Sequence, residues 1–114
     1  MAQICNSKGC KIEVAKDLES VGKCVMHFTL TIEEECAAMR RETALGDCSH
    51  DRQVEFMGQI ASRGEILVHV ATSGFPMSDE LKARVLSTLL SLMNCRESID
   101  RAANRQAARR RFGD

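Results

Sequence analysis

At 114 residues the chain has room for one domain, or for one small module joined to a larger one. Sixteen basic side chains balance sixteen acidic ones, so the net charge gives no electrostatic case for a nucleic-acid or membrane partner. Neither ILVHVA nor VLSTLLSLM reaches the roughly 18–20 apolar residues that span a bilayer, and MAQICNSKGCKIEV lacks an apolar run of signal-peptide length, so the expectation is a soluble, cytoplasmic protein.

Six cysteines in this length would allow fifteen disulfide pairings in an oxidising compartment, but in a reducing one clustered cysteines more often bind metal. Residues 1–30 lack the spacing of an amphipathic helix. The β-prone runs KIEV and KCVMHFTL, joined through AKDLESVG, predict a short hairpin that has too little apolar surface to fold unaided.

The pattern turns helical at Thr31. TIEE places Thr31 as a cap with Glu34 three residues on, and Ile32, Cys36, Met39 and Thr43 recur at helical spacing up to Gly46. This predicts a first helix from about Ile32 to Leu45, with Glu33, Glu34 and Glu35 in its first turn, where the helix dipole favours negative charge. A second segment, capped by Ser49 or Asp51, carries Val54, Met57, Ile60, Ala61, Leu67 and Val68 to about Thr72, although EILVHVA also fits a strand. TSGFPMS is a turn. Ser78 then caps a third helix, with Leu81, Val85, Leu89, Leu92 and Ile99 on one face and Leu86, Leu90 and Met93 beside it. An apolar arc that broad implies contact with more than one neighbour. The expected fold is therefore mainly α: a zinc-stapled β-hairpin module at residues 1–30, then about three antiparallel helices at 31–114, ending in an Arg-rich tail that frays.

Chemistry concentrates in the first quarter. Cys5 and Cys10 form a C-x4-C pair, and Cys24 and His27 form a C-x2-H pair after thirteen intervening residues. Two close pairs separated by a longer loop are how structural zinc receives its four tetrahedral N/S ligands. Gly9 and Gly22 let the backbone bend around an ion, and zinc binding, worth about 10–16 kcal/mol in small finger peptides, is ample to order such a segment. The alternative is four reduced side chains, since free cysteine packs as a small hydrophobe. CNSKGC with GKCVMH resembles a zinc bead, C-x3-G-C followed by G-x-C-x2-H, found in plant WRKY-related zinc-finger repeats and in small bacterial and phage proteins of largely unassigned function. The resemblance covers residues 5–27, and Phe28 with TLTIEEE stands where such beads continue into further beads or a glycine run.

The other candidates are weaker. Cys36 and Cys95 fall on apolar stripes and are expected in the core. Cys48 and His50 are expected in a surface loop, with a second metal pair or a redox thiol as the alternative, and His69 is expected to be partly buried and hydrogen-bonded. No phosphate-binding glycine loop, nucleophile triad or paired carboxylates stand out, so no enzyme activity and no small-molecule substrate are expected. Arg101, Arg105 and Arg109, with Arg110 and Arg111, make a basic stripe that could meet phosphate backbones, yet the chain has no Trp or Tyr to stack on bases. The sequence thus points to a non-enzymatic module with structural Zn2+ on Cys5, Cys10, Cys24 and His27, acting through a protein partner or self-association. A nucleic-acid-binding regulator using the bead and the Arg stripe is the second choice.

Overall fold

The computed structural model describes residues 3–46 and 48–112. It contains three helices, α1 (Val25–Ala44), α2 (His50–Thr72) and α3 (Asp79–Phe112), preceded by a single 3-10 turn at Lys16–Leu18. There is no β-strand among the described residues, so the expected hairpin is corrected. Residues 3–14 do double back, with Cys5 N–H donating to Ile12 O (2.9 Å) and Val14 N–H to Gln3 O (2.8 Å), but pairing stops at one isolated bridge, Ile4 to Glu13.

The expected second arm, KCVMHFTL, is the start of α1. Val25, Phe28, Thr29, Ile32, Cys36, Met39 and Thr43 are all buried on this helix, a spacing of three and four residues that holds from its first turn. The helix therefore begins seven residues before Ile32. Thr31, expected as its cap, lies in the interior and donates its hydroxyl to His27 O at 2.9 Å. Glu33, Glu34 and Glu35 consequently lie beyond the first turn, which holds no acidic residue. At the other end Gly46 stops the helix as expected, with φ at +78° and its N–H on Thr43 O.

α2 is helical through residues 60–72, which settles the strand alternative. Ser49 caps it by accepting from Arg52 N–H at 3.1 Å. Its buried face is Gln53, Phe56, Ile60, Leu67 and Val70, while Val54 and Val68, expected inside, are exposed. Ser78 accepts from Leu81 N–H at 3.1 Å and so opens α3, which continues as helix through the Arg-rich segment.

α3 is the element on which both others pack. Arg84 Nε donates to Thr29 Oγ1 near the start of α1, and Cys95 lies against Cys36 further along, so α1 and α3 run parallel. Gln53 meets Gln106, whereas Gly64 faces Leu92, so α2 runs opposite to both. The bundle is up-down-up with short connections. Its core is continuous with the N-terminal segment: Val14, Ala15, Leu18 and Cys24 belong to the same buried cluster as Phe28, Leu67 and Val85. α1 therefore runs without a break across the boundary expected near residue 30.

Phe28 is fully buried where the N-terminal segment meets the helices. Phe28→Ala should cost about 3–5 kcal/mol of stability, the usual loss for emptying a buried aromatic site. Urea unfolding should show this as a lower midpoint with an unchanged slope.

Candidate metal centre

Three local structures deliver the four candidate ligands. Cys5 and Cys10 flank a tight turn closed by Cys10 N–H on Ser7 O at 3.0 Å. Gly22 makes the bend before the second pair, with φ at +77° and its carbonyl accepting from Asn6 N–H at 2.8 Å. That positive φ favours glycine, and a Cβ at residue 22 would also stand 2.8 Å from the Asn6 side-chain nitrogen, which would have to shift. Cys24 then caps α1, its Sγ accepting from His27 N–H at 3.5 Å. His27 is the third helical residue, which turns its ring back toward the cap.

The result is one cluster. The ligand atoms of Cys5, Cys10, Cys24 and His27 all lie within 4.8 Å of one another, positioned to hold a metal ion. His27 Nδ1 is 3.4 Å from Cys5 Sγ and 3.2 Å from Cys24 Sγ, and Cys10 Sγ is 4.0 Å from Cys24 Sγ. Cys5 and Cys24 are buried, while Cys10 and His27 are half-buried.

The electrostatics of the cluster favour a cation. Burial pushes the Cys5 thiol up, but hydrogen bonds from the Cys24 and Ser7 backbone, the Ser7 hydroxyl and His27 outweigh it and bring the thiol down to about 5. Cys24 moves the other way: burial raises it, and the neighbouring Cys5 and Cys10 sulfurs raise it further against the help of His27 N–H. Several thiolates packed this closely repel one another, and a divalent cation among them removes that cost. The start of α1 adds its own positive dipole end beneath the sulfurs.

The remaining sequence candidates separate from this cluster. Cys36 and Cys95 are buried in the α1–α3 contact as expected, where the hydrogen bond with Cys95, and then burial, hold the Cys36 thiol up and protonated. Cys48 is buried rather than on a surface loop, since its segment packs under the end of α3 and its carbonyl accepts from Gln53 and Gln106 at 3.4 and 3.1 Å. Burial pushes its thiol up, and His50 beside it is exposed. Asp47 of the same loop lies outside the described residues. His69 is exposed on α2, because the inward face passes through Leu67 and Val70 instead.

The Arg stripe is in part already engaged. Arg101 pairs with Glu97 at 2.5 Å, and Arg105 and Arg109 line a hollow with Thr43, Ala44 and Gly46, at the end of α1. Cations there meet the negative end of the α1 dipole. Arg110 and Arg111 are exposed.

Two groups escaped the sequence reading. Gln53 and Gln106 form a partly buried amide pair at 2.9 Å, and Arg63 of α2 pairs with Glu35 of α1 at 3.0 Å. Amide pairs leave no periodic signal. Glu35 was misread because the start of α1 was.

Because Cys24 must give up a proton to bind a metal, affinity should rise with pH. Competition against a colorimetric chelator should show binding at least about tenfold weaker at pH 6 than at pH 8. No protein family, curated protein or solved structure matches the chain.

Proposed function

We propose that the chain is a non-enzymatic, zinc-stapled helical interaction module, in which Cys5, Cys10, Cys24 and His27 hold one structural Zn2+ and the helical body carries the binding surface. The observation that carries this reading is the convergence of the four ligand atoms. Zinc bonds of about 2.3 Å to sulfur and about 2.0 Å to nitrogen set tetrahedral edges of about 3.8 Å between sulfurs and about 3.5 Å between sulfur and nitrogen. The observed 4.0 Å and 3.2–3.4 Å separations lie close to both. Three sulfurs and one imidazole form a donor set that suits zinc and that hard cations such as calcium or magnesium do not prefer.

All four tetrahedral positions are supplied by the protein, so no coordination site is left for a substrate. A closed site of this kind holds structure in place and leaves chemistry to others. Function then falls to surfaces, and Leu86, Leu90 and Met93 offer one: each is large, apolar and more than half exposed on α3. A protein partner or a second copy fits such a surface better than a nucleic acid does.

The second reading, a nucleic-acid-binding regulator using Arg101, Arg105, Arg109, Arg110 and Arg111, is supported by the exposure of Arg110 and Arg111 at the end of α3. It is weakened by the Glu97 pair and by the position of Arg105 and Arg109 at the end of α1. Its signature would be binding to generic DNA or RNA that falls steeply with salt, through counterion release.

Native mass spectrometry is the deciding experiment. The expected outcome is one zinc ion per chain, removed by a strong chelator with loss of helical circular dichroism and a lower Tm. Cys24→Ser should both abolish the bound ion and destabilise the start of α1, whereas Cys36→Ser should keep the ion. A chelated protein with the same mass and the same Tm as the untreated one would refute the zinc assignment. The cytoplasmic setting is proposed on the thiol-rich ligand set; no helix among the described residues is long and apolar enough to cross a membrane.

A further inference from the structure

The four-ligand cluster shelters its sulfurs unequally. Cys5 and Cys24 are buried, whereas Cys10, on the turn closed by its own N–H to Ser7 O, is only half-buried. Cys10 Sγ lies 4.0 Å from Cys24 Sγ, and Cys24 is fixed in place as the cap of α1. An accessible thiolate beside a second, sheltered one is the arrangement in which a sulfur oxidised by a small oxidant is trapped as a disulfide. The other three cysteines, Cys36, Cys48 and Cys95, are buried in the helical body and lack that access.

A closed coordination shell keeps a substrate off the metal, but Cys10 retains part of its surface in solvent. We propose that the cluster is a redox switch, in which hydrogen peroxide joins Cys10 to Cys24 and expels the zinc ion. The proposal rests on the reading of the cluster as a zinc site and adds what regulates it. The Cys10 thiolate attacks one peroxide oxygen, so that an S–O bond forms, the O–O bond breaks and hydroxide leaves. The Cys24 thiolate then attacks the Cys10 sulfur, an S–S bond forms as the S–O bond breaks, and a second hydroxide leaves. The two sulfurs lose two electrons, the peroxide gains them, and each hydroxide takes a proton from the buffer to become water. The zinc ion keeps its charge, is left with only Cys5 and His27, and departs.

Bond and ion exclude each other. A disulfide of about 2.0 Å draws together two sulfurs that stand 4.0 Å apart, whereas a tetrahedral zinc site holds its sulfurs about 3.8 Å apart as thiolates. The new bond still ties the N-terminal turn to the cap of α1, while Cys5 and His27 are released. Oxidation therefore replaces a four-point metal staple with a single covalent one, at the place where the N-terminal segment joins the bundle.

Treating the zinc-loaded full chain with hydrogen peroxide tests it. A colorimetric chelator reports released zinc, and alkylation followed by peptide mass spectrometry maps the disulfide. The expected result is one ion released per chain in step with loss of the Cys10 and Cys24 thiols, a Cys10–Cys24 bond, and rebinding of zinc after dithiothreitol. The Tm of the oxidised protein should fall between those of the zinc-loaded and the chelated, reduced protein. Cys36→Ser should release zinc at the wild-type rate. Cys10→Asp keeps an oxygen ligand but removes the reacting sulfur, and should release zinc at least about tenfold more slowly. If Cys10→Asp binds no zinc, the disulfide map of the wild type decides alone. Zinc retained while peroxide consumes other thiols would overturn the switch and leave the zinc site standing. Release through a disulfide between any other pair would overturn the assignment of Cys10 and Cys24. A chain that holds no zinc before peroxide is added would overturn the site itself.

Discussion

A single sulfur atom sets the frame of this molecule. Cys24 Sγ accepts the His27 N–H that would otherwise be unpaired at the start of α1, and the same atom lies within the four-ligand cluster. By capping the helix there, it fixes the rotation of everything that follows. Phe28, Thr29 and Ile32 then fall on one buried face, and Thr29 Oγ1 is presented to Arg84 of α3 at 3.0 Å. The packing of α1 on α3 thus begins within about one turn of the four-ligand cluster. Loss of the cluster would loosen that first turn together with the loop residues around it, because the two share their backbone.

Packing around α3 explains the rest of the architecture. Its buried residues, Val85, Thr88, Leu92, Cys95 and Ile99, recur at three- and four-residue spacing, and α1 and α2 close over them from two directions. Polar ties set the positions of those helices. Arg63 and Gln59 of α2 both donate to Glu35 of α1, and Arg52 joins Glu42 at 2.8 Å while lying over the Phe56 ring at 4.6 Å. Partly exposed pairs of this kind add at most about 1 kcal/mol each, so they select an arrangement that apolar burial has already made favourable. The Gln53–Gln106 pair is different. Both amides donate to the Cys48 carbonyl, satisfying a buried oxygen where the α1–α2 connection passes under α3. Among the described residues no buried side-chain nitrogen or oxygen lacks a partner.

Much of this was legible in the residue pattern, and the failures have physical causes. The stripe Ile32, Cys36, Met39 and Thr43 is buried as its spacing implied, and Ser49, Ser78 and Gly46 punctuate the helices where their side chains, or lack of one, suit caps and stops. The four candidate ligands come together because paired spacing with glycines constrains the backbone more tightly than composition does. The start of α1 was not legible. Val25, Thr29 and Thr31 are β-branched and favour strands locally, and Cys24 is not a residue that ordinarily announces a helix cap. Tertiary burial of Val25, Phe28 and Thr29 overrode the local preference. The inward face of α2 was misjudged for a related reason. Gln53 is buried because Gln106 and a backbone carbonyl accept its amide protons, and polar residues satisfied in this way do not register as core in an apolar pattern. Cys48 and His69 changed places for want of the same information: burial of the one and exposure of the other depend on which side of α2 faces α3.

The uncovered side of α3 follows from the same geometry. At 34 residues α3 is about 51 Å long, whereas α1 and α2, at 20 and 23 residues, reach about 30 and 35 Å. Two helices packed on a third cover only part of its circumference, yet the apolar arc of α3 spans both covered faces and continues onto the bare one. If monomer stability alone had shaped the sequence, polar residues at 86, 90 and 93 would serve as well and avoid the hazard of exposed leucine. The N-terminal segment leaves them exposed: its Leu18 turn packs against α2, and its Ile12 and Glu13 line a hollow with Phe75 and Leu81 at the start of α3. The ligand cluster at the start of α1 and the uncovered apolar face of α3 thus lie on different helices of one small body, the first at a capped helix end and the second on the longest helix.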